Sequence, residues 1–147
     1  MKRFSFSLEK LKSYKEQIKK REENALAALR AEQMERLREK EELLKELDRR
    51  NKDFVEKSAK GMTAMEVVTE KGFISYVVDE IKKKDKEISV LSARINKQLI
   101  AVTEASKEVS TLEKLEEKQL EEYKFKARKA DEAFIEEYVG NRRHYGN

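Results

Sequence analysis

In the second half of the chain Val67, Ile74, Ile81, Ile88, Ile95, Val102 and Val109 stand seven residues apart without a break. A helix at 3.6 residues per turn drifts away from a strict sevenfold repeat. The row therefore predicts a left-handed coiled coil, in which supercoiling keeps one seam facing a partner helix. The companion positions, three residues further on, are apolar at Val77, Leu91, Ala105 and Leu112 and interrupted by Gln98. The first half carries a looser version. Leu11, Tyr14, Ile18 and Ala25 share one stripe; Leu37, Leu44, Leu47 and Phe54 share another, with Asn51 at a seam position. The register slips by about one residue near Leu26 and Leu29, so a local change of supercoil is expected there.

One break separates the halves. Gly61 is a candidate C-cap for the first helix. Thr63 and Glu66 then have the spacing of a capping box, with Thr63 as N-cap and Glu66 at the third helical position. Reversal near residue 62 pairs residues whose numbers add to about 124. Leu11 with Leu112, Ala25 with Leu99, Leu37 with Ile88, Leu44 with Ile81 and Asn51 with Ile74 all fall close to that line. The expected fold is all-α: two long helices in an antiparallel coiled-coil hairpin, with the C-terminal helix overhanging. Helix 1 spans about 5–59, the turn about 60–63, helix 2 about 64–139 and a flexible tail 140–147. Arms of about 55 residues would be about 80 Å long at 1.5 Å per residue. Past Leu120 and Tyr123 the second helix continues to Phe134, Ile135 and Tyr138 with no partner left, and an unpartnered apolar stripe marks a binding surface.

Composition narrows the alternatives. Of 147 residues, 34 are Lys or Arg and 30 Asp or Glu; there is no Pro, Cys or Trp, and only four Gly. Folds rich in turns draw on Gly and Pro and are excluded. A 38% hydrophobic fraction is too small for a thick core, while abundant Ala and Leu with nearly balanced charge argue against disorder. Glu-to-Lys/Arg pairs four apart, such as Glu16 with Lys20 and Glu46 with Arg50, each add about 0.2–0.5 kcal/mol of helix support. The net charge is +4. The most basic run, Lys82, Lys83, Lys84 and Lys86, is offset by Asp79, Glu80, Asp85 and Glu87, so a solvated face is expected rather than a nucleic-acid surface. Glu9, Lys10 and Lys12 break any apolar leader, and no stretch approaches the ~20 apolar residues of a membrane span. Direct membrane insertion is not expected.

No catalytic constellation is visible. The single histidine, His144, has no cysteine to pair with; there is no Gly-rich phosphate loop, calcium loop or Glu-x-x-His pair. No enzyme activity, metal or cofactor is expected. Glu116, Glu117, Glu121 and Glu122 are read as solvated carboxylates. The aromatic residues gather in three places: Phe4, Phe6 and Tyr14; Phe54, Phe73 and Tyr76; and Tyr123, Phe125, Phe134 and Tyr138. Aromatic side chains favour interfaces, although at helical spacing they also serve plain seam packing.

The opening Phe4-x-Phe6-x-Leu8-Glu9-x-Leu11, running into Tyr14-Lys15-Glu16, resembles the start of flagellar FliJ proteins. Leu112-Glu113-Lys114-Leu115-Glu116-Glu117-Lys118, followed by Tyr123, is similar to that family's Leu-Glu-Lys-Leu-Lys-Glu-Lys region. Arg128-Lys129-Ala130-Asp131-Glu132-Ala133 resembles its C-terminal basic stretch. The resemblance spans nearly the whole chain up to Tyr138. It implies a soluble component of the flagellar type III export apparatus, cytoplasmic and peripherally associated with the cytoplasmic face of the cell membrane. Such a protein is a coiled-coil stalk that enters the export ATPase hexamer and promotes its activity. It also contacts the cytoplasmic domain of the export gate and export chaperones. On that reading Phe4, Phe6, Leu8, Tyr123, Phe125 and Arg128 dock the ATPase, and Met62, Met65, Phe73 and Tyr76 meet the gate. The competing readings are a general coiled-coil scaffold, a prefoldin-like chaperone, or a homo-oligomeric coiled coil. A prefoldin-like subunit would need strand-rich hairpins, and none is visible between Gly61 and Gly72.

Overall fold

A computed structural model describes residues 2–145, with side chains to residue 143. The fold is all-α, with two long helices packed against each other as an antiparallel coiled-coil hairpin: α1 (Glu9–Lys60) and α2 (Ala64–Tyr145). No strand occurs among the described residues. The turn forms as its residues dictate. Gly61 adopts φ 102°, a conformation L side chains rarely take, and its N–H donates to the Ser58 carbonyl at 3.3 Å. The capping box closes on both sides. The Glu66 N–H donates to Thr63 Oγ1 at 3.2 Å, and the Thr63 N–H to Glu66 Oε2 at 3.4 Å.

The chain divides into two compact units, residues 22–102 and residues 1–21 with 103–147. In the first of these, α2 buries Val77, Ile81, Leu91 and Ile95, all at the sevenfold row or its companion positions. Cross-helix pairs fix the register. Arg36 with Glu87 and Glu39 with Lys84 add to 123; Gln33 with Ser92 and Lys40 with Asp85 add to 125. The expected line of about 124 holds. The polar breaks in α2's seam are filled from α1: Lys84 pairs with Glu39, Glu70 with Lys57, and Gln98 donates to the Glu22 carbonyl and carboxylate. In the other unit the seam continues through Ala105, Val109 and Leu112, flanked by Lys12–Glu116 at 2.6 Å and Lys15–Glu108 at 2.9 Å.

The face of α1 differs from the sequence expectation. Leu11, Tyr14, Leu37 and Leu44 are 41%, 56%, 46% and 45% exposed, and Ala25 and Asn51 are exposed too. Toward α2 stand Lys12, Lys15, Leu26, Leu29, Gln33, Arg36, Lys40, Leu43, Leu47, Arg50 and Phe54, buried or half-buried at sevenfold spacing. Leu47 and Phe54 are thus seam residues as expected. The rest of the seam lies one residue away from the apolar stripe, because lysine and arginine stems pack along apolar surface while their heads reach acids on α2.

Both outer boundaries also move. α1 starts at Glu9 rather than near residue 5, since Phe6 is withdrawn into the packing and its carbonyl accepts the Glu9 N–H at 3.2 Å. α2 keeps helical geometry through Gly140 to Tyr145, six residues past its expected end at 139; Gly140 has no positive φ to stop it. Of the expected tail 140–147, Gly146 and Asn147 lie outside the described residues, as do the side chains of His144 and Tyr145.

Candidate partner-binding surfaces

The non-helical segment before α1 lies along α2. Phe6 is 6% exposed, Leu8 and Phe4 are half-buried, and the Phe4 ring sits 5.6 Å from the Tyr123 ring at 52°. The Tyr123 hydroxyl donates to the Lys2 carbonyl at 2.6 Å. Four of the six residues expected to dock an ATPase, Phe4, Phe6, Leu8 and Tyr123, are therefore buried or half-buried within the chain itself, with Phe4 against Tyr123. The other two remain open. Phe125 is 53% exposed with the Lys129 ammonium 5.8 Å from its ring centroid, and Arg128 is exposed. Among the described side chains Ala127 is the last that is half-buried; from Arg128 to Arg143 every side chain faces solvent. On that stretch Phe134, Ile135, Tyr138 and Val139 are exposed large apolar groups at i, i+1, i+4 and i+5, so they share one face. Val139 was not among the residues read as unpartnered; its spacing from Ile135 carries the signal.

Near the turn the four residues expected at a gate contact divide between two depressions. Met62 and Met65 line one of about 380 Å³, together with Lys57 and Glu70. Phe73 and Tyr76 line another of about 570 Å³, with Val68, Gly72 and Arg50. Thr69 belongs to both. The Arg50 guanidinium carbon lies 5.0 Å from the Phe73 centroid, a cation–π distance that ties the ring to α1. Gly72 faces open space, since a Cβ there would meet nothing within 4 Å beyond its chain neighbours. Arg50 and Val68 were missed in the sequence. Arg50 is found only once the register places it opposite Phe73, and Val68 by its i, i+4, i+5 relation to Gly72 and Phe73.

The Lys84–Glu39 pair between the helices is structural. The Lys84 ammonium is pushed above its ordinary value by its hydrogen bond to Glu39, and the Glu39 carboxyl is held below its own by the same bond. No group of three or more His, Cys, Asp or Glu that would hold a metal ion exists among the described residues. No described helix is long and apolar enough to cross a membrane.

A profile of the family described as "Flagellar FliJ protein" matches residues 4–144. The chain belongs to the flagellar FliJ family. The match takes in the N-terminal Phe4, Phe6 and Leu8, the turn and the exposed end of α2, including most of the tail beyond Tyr138. FliJ membership makes the chain a component of flagellar protein export, and the family is a structural one rather than an enzyme family. No curated protein and no solved structure matches the chain.

Proposed function

We propose that this FliJ chain is the coiled-coil stalk of the flagellar type III export apparatus. It binds and stimulates the export ATPase hexamer, and it couples that ring to the cytoplasmic domain of the export gate and to export chaperones at the cytoplasmic face of the membrane. The observation that carries the reading is the end of α2. From Arg128 to Arg143 a helix with four large apolar side chains on one face has no partner among the described residues, and such a face gains free energy when another molecule covers it. Phe125 and Arg128, at its root, extend the same open surface. Phe4, Phe6, Leu8 and Tyr123 serve it indirectly, by fixing α2 just before it emerges. The gate contact falls to the two depressions near the turn, where Met62 and Met65 offer adaptable thioethers and Phe73 and Tyr76 offer aromatic faces.

The test is stimulation of the export ATPase by the full chain. Phe125→Ala and Phe134→Ala should each reduce stimulation several-fold while far-UV circular dichroism stays unchanged, because both side chains are exposed and add little to folding. Stimulation equal to that of the unaltered chain in both variants removes this face from the ATPase contact.

A further inference from the structure

The unit of residues 22–102 carries a groove on one flank that neither proposed surface uses. Two depressions, of about 320 and 560 Å³, meet at Arg94. α2 contributes Val90, Arg94, Lys97 and Ala101, and α1 contributes Leu29 and Arg36. Positions 90, 94, 97 and 101 follow i, i+4, i+7 and i+11, so they form one continuous face of α2. Val90 is 54% exposed and Ile100, at the far end, 65%. The floor from Lys86 to Ala101 is about 22 Å long at 1.5 Å per residue, or about four helical turns.

The charge on this flank is uneven. Arg36 is satisfied by Glu87 at 3.2 Å and Glu39 at 3.0 Å. Lys86, Arg94 and Lys97 are exposed and have no ion-pair partner among the described residues. Of the acids that line the groove, Glu32 alone remains to set against them. Other cations of this unit are matched to acids across the seam or along the helix, as with Lys40 and Asp85 or Arg38 and Glu42, while Arg30, Arg49, Lys60, Lys71 and Lys82 are unpaired among the described residues but line neither depression. The apolar floor and three unmatched cations therefore coincide.

We infer that this groove receives an acidic amphipathic α-helix from a partner protein. A third helix laid between two others buries an apolar stripe at i, i+3/i+4, i+7 spacing. Val90, Leu29 and Ala101 would receive that stripe, and carboxylates beside it would meet Lys86, Arg94 and Lys97. Charge complementarity of this kind governs selection and encounter rate more than raw affinity. A second copy of the chain is a poorer occupant. A twofold dimer through this flank would bring the same three cations to both sides of the contact.

The probe is a labelled peptide of about 18 residues, long enough for five helical turns, with leucines at i, i+4, i+7 and i+11 and glutamates between them. Its twin has lysine in place of every glutamate. Fluorescence anisotropy against the full chain should show the acidic peptide binding and the lysine twin not. Arg94→Glu with Lys97→Glu should weaken binding at least about tenfold, with helicity and melting temperature unchanged, and Val90→Asp should weaken it through the floor. Phe125→Ala should leave it intact, so failure here and failure of the ATPase reading are separable. Equal binding of both twins, indifference to the double charge reversal, or a dimer in sedimentation that the reversal dissolves would each overturn the assignment.

Discussion

Leu26→Ala and Leu37→Ala, made singly, distinguish the seam that α1 uses from the stripe its sequence advertises. Each substitution removes three carbons, worth about 0.8 kcal/mol apiece when fully buried. Leu26 is 7% exposed, so nearly the whole ~2.2 kcal/mol of transfer free energy is at stake, and a cavity against α2 raises the loss to about 3 kcal/mol. Leu37 is 46% exposed. Its loss is about 1.3 kcal/mol at most, with no cavity term because the vacated space opens to solvent, and alanine's helix propensity recovers a little. Urea unfolding followed by far-UV circular dichroism measures both, with equal slopes showing that the unfolded states are comparable. Leu26→Ala should cost about twice as much as Leu37→Ala, or more. An equal or inverted order would mean that Leu37 and its stripe face α2, and the seam described here would be wrong.

The two glycines near the turn should respond with opposite signs. Gly61→Ala forces a side chain into φ 102° and should cost about 1 kcal/mol, while Gly72→Ala, helical with nothing near its Cβ, should gain about 0.5–1 kcal/mol; thermal melts resolve both. The cross-helix pairs set a pH window. Glu39, held below its ordinary value by its hydrogen bond to Lys84, contributes stability above the ordinary glutamate range that is lost as pH falls through the lowered value. Lys84, Lys12 and Lys15, raised by hydrogen bonds to Glu39, Glu116 and Glu108, contribute below the ordinary lysine value and lose it as pH rises through the raised one. The melting temperature should form a plateau at intermediate pH that falls on both sides and is lowered by salt; a flat profile across the acid limb would refute the Glu39 contribution. Tyr123→Phe deletes the bond to the Lys2 carbonyl and should cost about 1 kcal/mol, confined to residues 2–8, whose amide exchange should quicken while that of α1 does not.

The hairpin itself was legible because α2 writes it plainly. Its sevenfold row is β-branched and unbroken, and the capping box at Thr63 and Glu66 fixes the reversal, so the pairing line follows by arithmetic. The seam of α1 was not legible, for a physical reason. Sorting residues into apolar-in and polar-out assigns Lys12, Arg36 and Lys40 to solvent, yet each has an acid waiting on α2 and a long hydrocarbon stem to lay along it. Leu11, Tyr14, Leu37 and Leu44 then fall on the outer edge. The candidate surfaces were half legible. The unpartnered end of α2 followed from chain lengths alone. The contact of Phe4 with Tyr123 and the burial of Phe6 did not, because a pattern of aromatics does not say whether they wait for a partner or already have one.

Among the described residues, Leu26 is the only fully withdrawn side chain of α1, whereas α2 supplies Val77, Ile81, Leu91, Ile95, Ala105, Val109 and Leu112. The two helices should accordingly tolerate sequence drift very differently. A saturation library scored only for folding would find α2 constrained at every third or fourth position and α1 permissive along most of its length, with lysine, arginine and glutamine freely exchanged. Positions on α1 that prove intolerant when the same library is scored for motility would then report recognition directly, with little folding background to subtract.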